Sequence, residues 1–465
     1  MHPSLIPFPV VGNLIRGAVA IALAVGLGGC GTGSGPSRAM HVATGTVAHN
    51  LCSETFVSGL DPDQSYAEGI APMPGFGWVG WGVRYHVDRA QGQVDASFLG
   101  GFRSRAVYRG RYGCTLVYGR DTVSREVPDA AAMEDTPKVD TADPRLKAAL
   151  DAAFTESAAP PHSGTKAVVI MQDGRIIAER YAAGYTVDTP ILGFSVSKSV
   201  TNALIGILVR EGRLTVDAPA PIEAWHAADD PRRAVTVGQL MRMTSGLDLD
   251  ETGSGFDPSN QMFYDEPDMA TYVERAGLVA APGTRWAYSS ASTHILARIV
   301  RDRVGGNAEA VQRFAAESLF APLGMRHVTM EMDTTGTPVG AHYMLASARD
   351  WARFGQLYLD DGVAGGKRML PEGWVRLSTT PTLDTTYGAG WWVNHRNVSA
   401  PAQPSGRTGM PLMAGVPGDA FYALGNLGQY IAVVPSKRLI IVRLGRSHRP
   451  AYGIGDFEKL VAACL

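Results

Sequence analysis

The sequence predicts an α+β protein, and three observations carry the prediction. Apolar strand-like runs stand at both ends of the second part of the chain, a helix-rich stretch separates them, and a helical segment closes the chain. The 465 residues are 45% hydrophobic and 18% charged, which is ordinary globular composition. It excludes a disordered tail, a collagen and a multi-span membrane protein. Lys plus Arg number 42 against 44 Asp plus Glu, a net charge of −2, so the basic footprint of a nucleic-acid binder is missing. The length suggests two or three domains, or one large domain with an appendage.

Residues 1–29 read as an export signal. Their one charged side chain, Arg16, precedes an apolar run from Gly17 to Leu27, which is short of the roughly twenty residues a spanning helix needs. Leu27-Gly28-Gly29-Cys30 resembles a bacterial lipobox, in which the cysteine takes a lipid and becomes the mature N-terminus. The expectation is a membrane-anchored lipoprotein on the periplasmic side or cell surface, attached through its N-terminal lipid. Residues 30–39 then read as a tether, rich in Gly and Ser.

Residues 40–120 read as a small β-rich region, with partial alternation from Trp81 to Leu99 around a turn at Ala90-Gln91-Gly92. It contains Cys52 and Cys114, which an exported protein can pair as a disulfide, while Cys464 is left over. Gly75-Phe-Gly77-Trp-Val-Gly80 spells a dinucleotide-binding pattern, but no strand precedes it and no helical pattern follows. No Cys-x-x-Cys or His-Glu-x-x-His occurs, so nothing calls for zinc, and no cofactor is expected. Residues 121–145, with Pro, Asp and Glu and little apolar periodicity, read as a linker.

The second part opens with a short helix, Leu146 to Phe154. A hairpin follows from Ala167 to Tyr181, turning at Asp173-Gly174. Ser195 to Glu211 reads as a helix, as does Ala346 to Leu359 within the helical middle. Late strands are expected at Gly388–Val393, Phe421–Gly425, Gln429–Val434 and Leu439–Leu444, then a last helix at Gly455–Ala463.

Chemistry concentrates at Phe194-Ser195-Val-Ser-Lys198. Ser and Lys at i and i+3 share one helix face. A helix start favours developing negative charge, and a lysine made neutral by burial and a positive field can take the serine proton. A second Ser-x-x-Lys, Ser163 to Lys166, runs into a strand and has no helix to align it. Lys198 is one of only seven lysines and precedes a long apolar run, so it needs a reason. Tyr288, in Tyr288-Ser289-Ser290, supplies a hydroxyl that can relay the proton or activate water beside a cationic Lys. No Gly-x-Ser-x-Gly elbow occurs, which argues against an α/β-hydrolase.

With Phe194-Ser-Val-Ser-Lys-Ser, Leu240-Met-Arg-Met-Thr-Ser-Gly246, Tyr288-Ser-Ser and Ala348-Arg-Asp-Trp-Ala-Arg-Phe-Gly355, the sequence resembles the serine β-lactamases and penicillin-recognising hydrolases. It is most similar to their class C-like branch, with carboxylesterases and 6-aminohexanoate-dimer hydrolases. The resemblance covers roughly residues 145–465. It implies a β-lactamase/transpeptidase-like domain over residues 146–465, an antiparallel sheet flanked by helices with a helical subdomain. The family's Tyr-x-Asn is Tyr-x-Ser here, so Ser290 would bond a substrate carbonyl or Lys198 with a shorter reach.

For the family's Lys-Thr-Gly strand two segments compete. Arg407-Thr408-Gly409 matches by letters. Counting back from the last helix favours Ala423-Leu424-Gly425, followed by Asn426, and this is the reading adopted. The oxyanion would then rest on the N–H groups of Ser195 and Asn426. Ala423 and Leu424 in place of Lys and Thr remove the groups that hold a substrate carboxylate, which points to a neutral ester or linear amide. Trp391, Trp392, Met262, Phe263 and Tyr264 are candidates for an apolar wall or for plain core, and His294 and His342 are candidates for polar contacts, with ordinary satisfied histidines the favoured reading. The expected function is that of a serine hydrolase acting through an acyl-enzyme on a small-molecule ester or amide. A β-lactamase or D,D-peptidase, and a catalytically inactive envelope-binding lipoprotein, are the alternatives.

Overall fold

A computed structural model describes residues 35–119, 137–156, 162–251, 257–395, 413–448 and 453–465. The signal segment, Cys30 and Arg407-Thr-Gly lie outside the described residues.

The N-terminal region opens with α1, Gly35–Cys52, so from Gly35 onward the expected tether is the start of a helix. Gly45 and the β-branched Val42, Thr44, Thr46 and Val47 make α1 a poor helix on propensity alone. Tertiary burial overrides this. Val42, Ala43, Val47, Ala48 and Leu51 are all buried. A Cβ at Gly45 would come within 2.8 Å of the Tyr264 carbonyl, so glycine permits the close approach. The β-rich expectation for residues 40–120 is overturned in its first half, where short helical stretches follow α1 at Ser53–Val57, Pro62–Ser65, Tyr66–Ile70 and Phe76–Val79. Strands occupy only the second half: β1 (Val83–Asp88), β2 (Gln93–Phe98), β3 (Gly101–Tyr108) and β4 (Cys114–Val117) form an antiparallel sheet in sequence order. Val94, Ala96 and Phe98 alternate inward against α1, while Asp95 and Ser97 face out. Cys52 and Cys114 form a disulfide across a Cα separation of 6.0 Å.

In the second part, α2 (Pro144–Phe154) is capped by Asp143, with Pro144 at its first position. The hairpin is β5 (Thr165–Gln172) and β6 (Arg175–Tyr181), turning where expected. A short β7 (Ile191–Leu192) leads into a 3₁₀ turn, Phe194–Val196, and then α3, Ser197–Arg210. Further along come α4 (Ser290–Val304), β8 (Val328–Met330), β9 (Met344–Ala346) and α5 (Ala348–Leu359). The chain finishes with β10 (Trp392–Val393), β11 (Phe421–Gly425), β12 (Gln429–Val434), β13 (Leu439–Gly445) and α6 (Ile454–Ala463). The strand expected at Gly388–Val393 is reduced to its last two residues, because Gly390 takes a positive φ and Gly388 N–H bonds back to Trp391.

The main sheet has the antiparallel order β10-β11-β12-β13-β5-β6. Both of its faces are covered, so its strands read as apolar runs without alternation in polarity. Period two survives in where the side chains go. Ala167, Val169, Met171, Ile431, Val433, Ile440 and Val442 join the core under α3 and α5. Val168, Ile170, Ala432, Val434, Leu439 and Ile441 pack against α2 and α6. Gly355 lets α5 sit directly on Ile440 and Ile431. The motif around it is architectural: Arg349 pairs with Glu179 of β6, and Trp351 packs on Gly193.

Candidate active site

The two ends of this sheet bring the motifs together at one turn. Gly193 N–H donates to Met344 O of β9 (2.8 Å), and Val196 N–H closes the turn onto Gly193 O. Phe194 takes φ of +49°, a left-handed conformation that an L-residue adopts at a cost. Its buried ring is held edge-to-face against His342, 4.9 Å between centroids. The next residue, Ser195, is half-buried in a run of buried neighbours, so its hydroxyl is the accessible one.

Lys198, 3% exposed, lies one turn along. Its Nζ is 2.9 Å from Ser195 Oγ, 2.9 Å from Ser290 Oγ and 3.0 Å from Ala341 O. The Tyr288 ring centroid lies 4.9 Å from the same nitrogen. Thus Ser195, Lys198, Tyr288 and Ser290 share one site, with Ser290 bonded to Lys198.

Hydroxyls on α3 hold the surrounding loops. Ser197 Oγ accepts from Met344 N–H (3.2 Å), Ser199 Oγ donates to Gly390 O (2.6 Å) and Thr201 Oγ1 donates to Gly340 O (2.8 Å). The Leu240–Gly246 motif positions the tyrosine segment: Ala287 N–H donates to Met243 O, and Gly283 N–H to Thr244 O. Ser289 caps α4, its side chain accepting from Ser292 N–H.

Residues expected in the third motif flank the Ser195 turn. A Cβ on Gly425 would come within 2.2 Å of Gly193 O, so β11 touches the turn there and only glycine fits. Asn426 is exposed beside it, and Leu427 takes φ of +57°. Ala423 and Leu424 do not form one wall, because successive strand residues face opposite ways. Ala423 is buried in the α3 core, whereas Leu424 is half-buried on the face that includes Trp392.

The aromatic wall is smaller than expected and differently composed. Met262, Phe263, Tyr264 and Trp391 are core residues. Trp392 is half-buried and stacks on Tyr288, 5.6 Å between centroids at 29°, and Trp286 and Tyr387 complete the cluster. His294 is fully buried, with Nε2 3.7 Å from Asp333, and so belongs to the interior. His342 stands beside the site. Burial first, and the nearby Lys198 charge second, hold its pKa well below the usual 6.5.

The rival serine is structural. Ser163 is buried, its Oγ donating to Ala153 O, while Lys166 pairs with Glu68 at 2.8 Å. Two neighbours of the site carry no motif and were missed by sequence reasoning, Ala341 and Glu251, whereas His342 was named there without being placed at the site. Glu251 accepts from Ser290 N–H (2.7 Å) at the start of α4, where a carboxylate suits the helix dipole.

An antiparallel sheet with helices on both faces, carrying Ser-x-x-Lys at the head of its central helix, a tyrosine opposite and a glycine strand alongside, defines the β-lactamase/transpeptidase-like class. The beta-lactamase family model matches residues 150–463, and the chain belongs to that family. It is 31% identical over 225 residues to the 6-aminohexanoate-dimer hydrolase of Paenarthrobacter ureafaciens, a match covering 45% of this chain and 56% of that relative. The chain therefore spans little more than half that relative's length. A solved Bacillus anthracis structure, provisionally named a 6-aminohexanoate-dimer hydrolase, superposes with a TM-score of 0.51 at 25% identity, covering 64% of this chain and 78% of the other. A family VIII carboxylesterase shares the fold, with a TM-score of 0.52 at 15% identity over 71% of this chain and 100% of its own.

Proposed function

We propose that this protein is a serine hydrolase that cleaves a neutral ester or linear amide through an acyl-enzyme. The observation that carries the reading is the buried Lys198 Nζ, 2.9 Å from both Ser195 Oγ and Ser290 Oγ. In its neutral form Lys198 accepts the Ser195 proton as Oγ bonds to the substrate carbonyl carbon. Tyr288 relays that proton to the leaving alcohol or amine, and the C–O or C–N bond breaks. Water then attacks the acyl-Ser195 ester, giving up its proton through the same pair and returning the serine hydroxyl. The oxyanion of each tetrahedral intermediate rests on the N–H groups of Ser195 and Asn426. The contact of Gly425 with Gly193 O supports this choice, because it holds the strand beside the nucleophile. The name of the 31%-identical relative, a dimer hydrolase, supports hydrolysis.

Turnover of a p-nitrophenyl ester and of a chromogenic β-lactam by one preparation tests the reading. Ester turnover, a fluorophosphonate adduct on Ser195 and little β-lactam turnover are expected. Ser195→Ala should remove the adduct and several orders of magnitude of kcat, whereas Ser163→Ala should keep both. Equal labelling of the two variants would refute the assignment. A β-lactamase or D,D-peptidase reading requires Arg407 to grip the substrate carboxylate. Arg407→Ala would then weaken anionic substrates tenfold or more and spare neutral esters. We expect no such selective loss, and expect Leu424→Asp to damage all substrates by placing a charge beside the aromatic wall.

A further inference from the structure

Trp78, Trp81 and Leu99 are 86%, 65% and 60% exposed, the highest values among the large hydrophobic side chains of the described residues. They form one patch. Trp81 Nε1 donates to Trp78 O (2.9 Å), Leu99 N–H donates to Gly82 O (2.9 Å), and the Trp81 ring packs edge-on to Phe98. Exposed tryptophans clustered with a leucine mark a surface that something covers.

The path of the chain says what covers it. Helix α1 runs beside β3 in the same direction: His41 meets the Phe102 ring at 5.7 Å, Thr44 Oγ1 lies 2.8 Å from Ser104 Oγ, and Cys52 is bonded to Cys114, which pairs with Tyr108. Gly35, six residues before His41 and so about 9 Å further along the axis, therefore emerges at the end that carries the β2–β3 turn and Leu99. Only four residues separate Gly35 from Cys30, which follows the apolar segment Gly17–Leu27. The five Cα–Cα steps from Cys30 to Gly35 reach at most about 18 Å. An anchor at Cys30 or in that segment thus keeps the patch close to the bilayer. Charge agrees. Arg84 and Arg103 stand exposed beside the patch and make no ion pair among the described residues, donating instead to the carbonyls of Trp81, Val83 and Gly100.

We propose that this tip seats in an anionic lipid surface. Trp78, Trp81 and Leu99 enter the headgroup–acyl boundary, where an indole can bury its ring and keep its N–H wet. Arg84 and Arg103 meet lipid phosphates. Tethered nearby, even a weak contact is made intramolecular and so orients the domain on the membrane. The proposal rests on the N-terminal anchor and is independent of the hydrolase reading.

The test uses the full-length chain reconstituted into phosphatidylglycerol/phosphatidylcholine vesicles with or without bromine on the acyl chains. Flotation reports anchoring, and bromine quenching of tryptophan emission reports the tip. The wild type should float and lose part of its emission to bromine. Trp78→Phe/Trp81→Phe should float, keep its thermal midpoint and lose that quenching. Arg84→Ser/Arg103→Ser should float with quenching at least halved, and so should the wild type in pure phosphatidylcholine. A chain that floats with equal emission from both kinds of vesicle, as it would with its patch covered by a second copy or by its own N-terminal segment, overturns the docking and leaves the anchor standing. Quenching that ignores the arginines and the lipid charge overturns the anionic preference. A chain that does not float overturns both.

Discussion

At the scale of single residues, the candidate site depends on contacts with no slack. Gly425→Ala would drive a methyl into Gly193 O. Either β11 or the Ser195 turn must retreat by about 1 Å, a displacement that costs on the order of 10²-fold in rate. We expect that loss in ester turnover and in fluorophosphonate labelling. Gly455→Ala, whose Cβ meets nothing within 4 Å, should change neither. His342 supplies the pH dependence. Its folded pKa lies well below 6.5, through burial and Lys198, so the folded state resists protonation. The stability that follows is complete above about pH 6.5 and drains away as acid protonates the unfolded chain first, at no more than about 1.4 kcal/mol per pH unit. The thermal midpoint should fall below pH 6.5, and His342→Asn should flatten that slope; an unchanged slope would refute the assignment. Ser195, Lys198, Tyr288 and Ser290 were legible because each sits in a local pattern. Ala341 and Glu251 were not, because a carbonyl and a carboxylate reach the site only through tertiary folding, and His342 was named in the sequence but set beside the site only by that folding.

At the scale of elements, strands β11 and β12 were legible to the residue, since a buried antiparallel strand shows itself as an apolar run between turn residues. Helix α1 was not, because Gly45 and its β-branched residues argue against helix and only packing decides for it. That packing has a consequence for the site. The fully buried Glu331 carboxylate accepts from Cys114 N–H (2.7 Å), Ser53 Oγ (2.9 Å) and His49 Nε2 (2.8 Å). His49 stacks on Tyr343 at 3.9 Å, two residues from the Ala341 carbonyl that holds Lys198. The N-terminal region thus braces the loop that holds Lys198 from behind, and its disulfide braces the region. Closing a 62-residue separation stabilises by about 4 kcal/mol in the chain-entropy account. Reductant, or Cys52→Ser with Cys114→Ser, should lower the thermal midpoint by several degrees and lower ester turnover with it. Glu331→Ala should destabilise by about 3 kcal/mol or more, leaving buried donors unpaired. A midpoint indifferent to reductant would remove the brace.

At the scale of the whole molecule, the family match begins at residue 150, and the disulfide-bonded region and the N-terminal segment lie before it. The disulfide belongs in an oxidising compartment, which agrees with an exported chain. The apolar run Gly17–Leu27 is too short to span a bilayer, and no helix among the described residues is long and apolar enough to cross one. Firm attachment then needs a second device. Each buried methylene contributes about 0.8 kcal/mol, and one acyl chain holds a protein only marginally, whereas two or more hold it stably. A diacylated and N-acylated Cys30 meets that requirement and an unmodified one does not. We therefore predict that a palmitate analogue labels the wild type, that Cys30→Ser is unlabelled, and that Cys30→Ser shifts from the membrane pellet to the soluble fraction with its ester turnover intact. A wild type that stays unlabelled, or a Cys30→Ser variant that stays in the pellet, would refute lipid anchoring through this cysteine.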